Sequence, residues 1–390
     1  METRTRLPDP GADELAHAAL LRERIVQAIA AADGRLPFDV FMDLALFAPG
    51  LGYYVAGARK FGRDGDFVTA PEVSALFGAS LARQCAEVLA QIGGAIIEFG
   101  GGTGRLAASL LAELAHLGAL PDTYYIVELS PELRERQRET LRAQPPAIAE
   151  RVQWLSDAPA TPLDGVVIAN EVLDSLPVRV FERADGQTYE RGVTLDVRAQ
   201  LQWTRWPAEA DLAARVAHCF EPGPPPADYL SELNLRQSLW IADLARFLRR
   251  GVALLIDYGD PRHERYHASR DSGSLRCYWR HRVHDDPLLH PGLQDITASV
   301  DFTGVAEDAV EAGFDVLGFA SQANFLLGCG VEALLQQRLA DPAPHARLAL
   351  EARILLLPSE MGTRCKVIAL GRDYTHPLLG LRLRNEKHRL

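Results

Sequence analysis

The chain has 390 residues, 47% hydrophobic and 24% charged, with Gly 31 and Pro 24, enough for a sizeable core and a main domain with insertions; collagen, a coiled-coil rod and wholesale disorder are excluded. Asp+Glu 52 outweigh Lys+Arg 41 for a formal net charge of -11, which argues against a surface that coats nucleic acid or an anionic membrane, although a local basic patch stays open. The 5 cysteines (Cys85, Cys219, Cys277, Cys329, Cys365) are odd in number and include no CxxC pair, so neither a disulfide framework nor a clustered zinc site is expected and a reducing compartment fits.

The first thirty residues carry acids early and lack an apolar core with a cleavage site, so they do not read as a secretory signal. Residues 13 to 32 read as an amphipathic helix. No stretch approaches the roughly 20 apolar residues that cross a bilayer, and a soluble, cytoplasmic protein is expected. Residues 38 to 68, dense in glycine and aromatics, read as an ordered loop without sustained period. A helix is expected from Pro71 to about Ile92, with Val73, Leu76, Phe77, Leu81 and Val88 on its apolar face.

Strands and helices then alternate: strand 95–99, helix 103–116, strand 124–129, helix 131–141, and strands 152–155 and 165–170. This alternation predicts parallel βαβ units. Segments 178 to 193 predict an antiparallel hairpin closed at Asp185-Gly186, inside an insertion that ends at Pro222-Gly-Pro-Pro-Pro226. A long helix 229–250, a strand 252–259 and some forty aperiodic residues follow; a loop of that length inside a domain reads as functional. Helix 302–312, strand 314–320, a helix from Gln322 and strand 365–371 close the chain.

The strongest local signal is Glu98-Phe-Gly-Gly-Gly-Thr-Gly104, where a buried strand meets glycines and then a helix. Glycines bring backbone close to a ligand, and a helix start offers free N–H donors. Dinucleotides and S-adenosylmethionine both use such a turn. The dinucleotide fingerprint wants glycine or alanine where this chain has Arg105. A carboxylate at Glu98 would repel a pyrophosphate but attract ammonium and sulfonium charge, so S-adenosylmethionine is favoured at Glu98, Gly100, Gly102, Thr103 and Gly104. Glu128 falls about two dozen residues beyond the turn, where Rossmann-like proteins place a ribose-binding acid. Asp157 is the candidate for the adenine amine, with Leu129 and Ala158 on the ring faces.

Strand 165–170 ends in Asn170-Glu-Val-Leu-Asp174, so polar groups appear abruptly at a carboxyl edge, where open α/β sheets bind ligands. If the segment turns helically, Glu171 and Asp174 share a face and could fork a guanidinium, with Asn170 beside both. Helix capping by Asn170 and Asp174 is the bland alternative.

Taken together with Ala48-Pro-Gly-Leu-Gly-Tyr-Tyr54, Gly65-Asp-Phe-Val-Thr-Ala-Pro-Glu72, Val127-Glu-Leu-Ser-Pro131, Asp257-Tyr-Gly259, Gly273-Ser-Leu-Arg276 and Asp295-Ile-Thr-Ala-Ser-Val-Asp-Phe302, these blocks make the chain resemble the MidA-like family of class I S-adenosylmethionine-dependent methyltransferases, over nearly its whole length. The resemblance implies an α/β Rossmann-like seven-stranded sheet, mostly parallel with a reversed final hairpin. It implies protein arginine methylation, after mitochondrial relatives that assemble respiratory complex I. It places the methyl donor on the glycine turn, Glu128 and Asp157, and the acceptor beside Asn170 to Asp174. The family's usual Gly-Thr-Leu-Arg reads Gly-Ser-Leu-Arg here, which keeps the hydroxyl. No transit peptide is apparent, and lysines are scarce beside arginines, which suggests a bacterial member.

The expected division is an N-terminal helical and lid region over 1–92, a methyltransferase domain over 93–177 and 229–390, and an inserted subdomain over 178–228. Tyr53, Tyr54, Phe61 and Phe67 could form a lid over the cofactor or simply pack beneath a loop. The basic run Arg262 to Arg282 could dock an acidic partner or be a solvated loop; nucleic-acid binding is not expected, and neither is a metal at His281-x-x-His284. Two other functions stay open: a cofactor-gated assembly chaperone with little transfer, and a nicotinamide oxidoreductase.

Overall fold

The structure is a computed structural model and describes residues 7–56, 68–339 and 345–390. The chain divides into two units.

The larger unit comprises the described residues of Val68–Asp174, Gln237–Pro261 and Val300–Leu390. Its sheet has seven main strands: β1 (Ala95–Phe99), β2 (Tyr124–Val127), β3 (Val152–Leu155), β4 (Leu163–Asn170), β5 (Leu248–Asp260), β6 (Asp315–Ser321) and β7 (Cys365–Arg372). Their order is β6-β7-β5-β4-β1-β2-β3, with a short Val300–Asp301 strand added beside the end of β5. All neighbours run parallel except β7, which is antiparallel to both β5 and β6. The expected reversal near the chain end is therefore a single strand inserted between β5 and β6.

Chain order reverses direction between β1 and β4, which pair in register from Ala95↔Gly165 to Phe99↔Ala169. Everything that leaves the carboxyl ends of these two strands must meet at this switch point, where open α/β sheets hold ligands. One apolar cluster unites strand residues Ile96, Ile126, Val166, Ile168 and Leu254 with Phe77, Leu81, Leu106, Leu110 and Leu114 of helices Ala75–Ile92 and Arg105–His116. Each such side chain contributes roughly 1.5–3 kcal/mol on burial.

The helix expected over 71–92 is two helices, Ala70–Val73 and Ala75–Ile92. Ser74 interrupts them in an extended conformation, and its Oγ caps the second by accepting from the Leu76 N–H. The helix expected over 229–250 is also revised. Tyr229–Leu233 is a strand paired with Arg179–Ala184, the helix covers only Gln237–Phe247, and Leu248 already belongs to β5. Cross-strand pairing available only in the folded chain overrides local helix preference there.

The smaller unit comprises the described residues of Met1–Phe67, Ser175–Arg236 and Arg262–Ser299. The boundaries differ from the expected ones: 68–92, with helix Ala75–Ile92, lies with the large sheet, whereas 175–177, 229–236 and 262–299 lie here. The predicted hairpin forms from Arg179–Ala184 and Gln187–Leu195, with Asp185 and Gly186 both at positive φ. Part of the expected aperiodic stretch after Gly259 is a small sheet of Arg276–Trp279, Arg282–His284 and Asp295–Thr297. Part of the expected 38–68 loop is a helix, Phe38–Phe47, that buries Phe38, Phe41, Met42, Ala45 and Leu46. Tyr53 is buried against Tyr54, and the Tyr54 hydroxyl donates to Asp295 at 2.8 Å. Both tyrosines thus pack in this core; Phe61 and Phe67 lie outside the described residues.

Arg265, in the middle of the basic run, is buried and paired with Glu232 at 2.6 Å, the two side chains being 2% and 3% exposed. Its guanidinium also donates to Ser231 Oγ, Ser274 Oγ and the Ser299 carbonyl. The Ser274 N–H and hydroxyl donate to the same carboxylate, and a Cβ at Gly273 would stand 2.4 Å from it. The Gly-Ser-Leu-Arg block is thereby tied into a buried ion pair, which takes Arg265 out of any docking surface; Arg276 is exposed. Glu232→Gln leaves a buried guanidinium without its counter-charge and should cost roughly 3–5 kcal/mol in urea unfolding; a loss below about 1 kcal/mol would mean the pair is dispensable.

Candidate active site

The glycine turn leaves β1 with Gly100, Gly102 and Gly104 at φ of 67, 51 and 83, a backbone closed to most side chains. Nothing stands within 4 Å of a Cβ built on Gly102, whereas one on Gly101 would meet Ile126 at 2.7 Å and one on Gly104 the backbone of Gln137 at 3.1 Å. One side of the turn is therefore packed on helix Pro131–Arg142 and the other is open. Thr103 and Arg105 are held from above by Glu72 of the short helix: the Thr103 hydroxyl donates to one carboxylate oxygen and Arg105 Nε pairs with the other at 3.1 Å. The Thr140 hydroxyl binds the Thr103 carbonyl at 2.7 Å. Glu72 and Thr140 are site-building residues that the sequence reading did not include.

Glu98 is more enclosed than an open cation-binding carboxylate would be. It is 2% exposed and accepts from the Tyr124 hydroxyl at 2.8 Å. Burial pushes its carboxyl from 4.5 up to about 7, against the Tyr124 hydrogen bond, and the nearby charge of Glu128 adds to the rise. Between about pH 4.5 and 7 the folded chain accordingly holds a proton here that the unfolded chain releases, so this group's contribution to stability falls as pH rises through that window. Glu98→Gln should flatten the pH dependence of the melting temperature in that range; an unchanged slope would show that Glu98 does not titrate there.

Glu128, at the end of β2, is buried, and burial raises its carboxyl. One oxygen accepts from the Ser130 N–H at 2.9 Å and the other from Gln137 Nε2 at 3.0 Å. Leu129 beside it is 57% exposed, an apolar surface free to meet a ring. Asp157 and Ala158 follow β3; Asp157 is exposed, with Oδ1 accepting the Ala158 N–H at 2.8 Å. Glu98 to Gly104, Glu128 with Leu129, and Asp157 with Ala158 thus leave the carboxyl ends of three neighbouring strands.

The segment after β4 is not helical, so the shared helix face expected for Glu171 and Asp174 does not form. Glu171 instead takes φ 54, a strained value for a residue with a side chain. Its N–H donates to the Ile256 carbonyl at 2.8 Å, and its Oε1 accepts from Asn170 Nδ2 at 3.2 Å. Asp174 is buried. The Leu173 and Asp174 N–H groups both donate to Oδ2 of buried Asp257 on β5, at 2.8 and 3.2 Å. Asp257 therefore holds the loop by its backbone, and burial pushes its own carboxyl up to about 7 against those same hydrogen bonds. Val172 closes the loop on the glycine turn, 3.2 Å from a Cβ at Gly100. Asp257 stood in the sequence only as part of a block; its role comes from β4 and β5 being neighbours.

A reversed seventh strand, a glycine turn at the switch point and an acid at the end of β2 define a class I methyltransferase. Residues 80–320 match the model of the S-adenosyl-L-methionine-dependent methyltransferase family. The chain belongs to that family, and S-adenosylmethionine is its cofactor. It is similar over 99% of its length, at 43% identity and a TM-score of 0.93, to the whole of a superfamily member from Burkholderia thailandensis solved bound to S-adenosyl-homocysteine. It is 28% identical to the mitochondrial protein arginine methyltransferase NDUFAF7 homolog of Drosophila melanogaster, over 92% of this chain and 86% of that protein. It is 27% identical to the mitochondrial protein arginine methyltransferase NDUFAF7 of Homo sapiens, over 86% of this chain and 80% of that protein. The residues fit the cofactor: the open side of Gly102 admits close backbone approach, and buried Glu128 at the end of β2 stands where an acid would accept ribose hydroxyls. Among the described residues no helix is long and apolar enough to cross a membrane.

Proposed function

We propose that this methyltransferase acts on an arginine of a protein substrate, presented to Asn170, Glu171 and Asp174. The observation that carries the reading is Glu171, a carboxylate on strained backbone at the switch point, beside the glycine turn. Such strain persists only where the surroundings over-determine it, and it clusters at working sites. The names of the curated relatives support arginine as acceptor; a subunit of respiratory complex I is the candidate protein that the family resemblance implies. A bacterial, cytoplasmic setting belongs to the same reading; the Burkholderia relative supports its bacterial part.

Bound S-adenosylmethionine supplies an electrophilic methyl on a sulfonium. In this reading Glu98, Gly100, Gly102, Thr103, Gly104, Glu128, Leu129, Asp157 and Ala158 hold it, with Asn170 between donor and acceptor. Glu171 pairs with the guanidinium and turns one nitrogen toward the methyl, with Asp174 buried in the same loop; alignment in a water-poor crevice supplies most of the acceleration in an in-line transfer. The proton released from the alkylated nitrogen passes to the Glu171 carboxylate. The test compares methylated peptides from cells with and without the protein. Arginine methylation that disappears with the protein and returns with the wild-type chain, but not with Glu171→Gln, supports the reading; methylation confined to another residue type overturns it.

A further inference from the structure

We propose that Gln137 is a positioning residue for the methyl donor, locking the Glu128 carboxylate to the glycine turn so that the acid meets the ribose in one orientation. Gln137 is fully buried on helix Pro131–Arg142. Its Nε2 donates to the Gly102 carbonyl at 3.0 Å and to Glu128 Oε2 at 3.0 Å, and its Oε1 accepts from the Trp154 indole at 2.9 Å. Only this placement of the amide satisfies all three partners. An indole N–H can only donate, while a carbonyl oxygen, like an ionised carboxylate, can only accept. The side chain thus joins the turn after β1, the acid that ends β2 and the indole of β3, with both amide hydrogens and the oxygen engaged.

The Ser130 N–H binds the other oxygen of Glu128, so rotation of the carboxylate is stopped from both sides. With about four lone-pair sites on its two oxygens, the carboxylate keeps acceptor capacity for a ligand hydroxyl beside these donors. A fixed acceptor pair loses less conformational freedom on binding than a mobile one. Close approach of Gln137 to Gly101 and Gly104 makes the same residue a gauge of turn geometry, since movement of the turn carries the Gly102 carbonyl with it.

This inference rests on Glu128 being the ribose acid. Binding of S-adenosylhomocysteine and of its 2′,3′-dideoxy analogue is measured by calorimetry for the wild type, Glu128→Gln, Gln137→Met and the double variant. Gln137→Met should weaken S-adenosylhomocysteine at least tenfold, change the dideoxy analogue less than twofold, and add little to the loss caused by Glu128→Gln. Equal losses for both ligands, or full additivity in the double variant, would assign Gln137 a purely structural role and overturn the proposal. Should Gln137→Met fail to fold, Trp154→Phe keeps an aromatic ring and removes the donor that orients the amide; a selective loss for the hydroxylated ligand supports the proposal, and none overturns it. If Glu128→Gln binds both ligands as the wild type does, the ribose assignment itself fails; a selective loss in Glu128→Gln with none in Gln137→Met overturns the Gln137 proposal alone.

Discussion

Glu171→Gly should make the protein more stable and nearly inactive at once. Glu171 holds φ 54, where glycine sits without penalty, so the variant relieves strain and should gain about 1 kcal/mol in urea unfolding after its greater unfolded-state freedom is subtracted. Methyl transfer from labelled S-adenosylmethionine to proteins of an extract from cells lacking this chain should fall about 100-fold, the usual scale for one preorganised electrostatic contact. Glu171→Gln should lose transfer similarly without the gain in stability. S-adenosylhomocysteine binding should stay within about threefold in both, because the glycine turn and Glu128 are untouched. Transfer unchanged in both would remove Glu171 from the acceptor site; loss of transfer with partner binding intact would support chemistry over a clasping, chaperone-like role of the loops.

The second large effect separates folding from binding at Gly102. A Cβ there meets no protein atom within 4 Å, so Gly102→Val loses chiefly what positive φ costs, roughly 1–2 kcal/mol and more for a β-branched residue. Its branched side chain occupies the open face across which the donor must approach, and affinity for S-adenosylhomocysteine should fall beyond about 100-fold. Gly104→Val should instead lower stability as well, because it collides with the Gln137 backbone at 3.1 Å. Wild-type affinity in Gly102→Val would place the donor elsewhere.

Periodicity revealed the sheet strands because each buried strand is a short apolar run between turns, and the glycine turn was legible because only glycine tolerates its backbone. Helix Phe38–Phe47 was missed, although Phe38, Phe41, Met42, Ala45 and Leu46 recur at helical spacing, because the glycines and aromatics that follow dominate the stretch. Tyr229–Leu233 was not legible as a strand, since its partner Arg179–Ala184 lies some fifty residues earlier.

The sequence by itself determined the alternation of strands and helices, the glycine turn, the acids Glu98, Glu128 and Glu171, and the family blocks, because these are properties of residue type at short spacing. Only the tertiary structure decided that Glu98 is enclosed with Tyr124, that Asp257 anchors the loop after β4, that Glu72 clamps the turn, and that Gln137 joins three strand ends. Each of those contacts links residues brought together by strand order and helix packing, and no local period records which distant carboxylate or amide a backbone N–H will find.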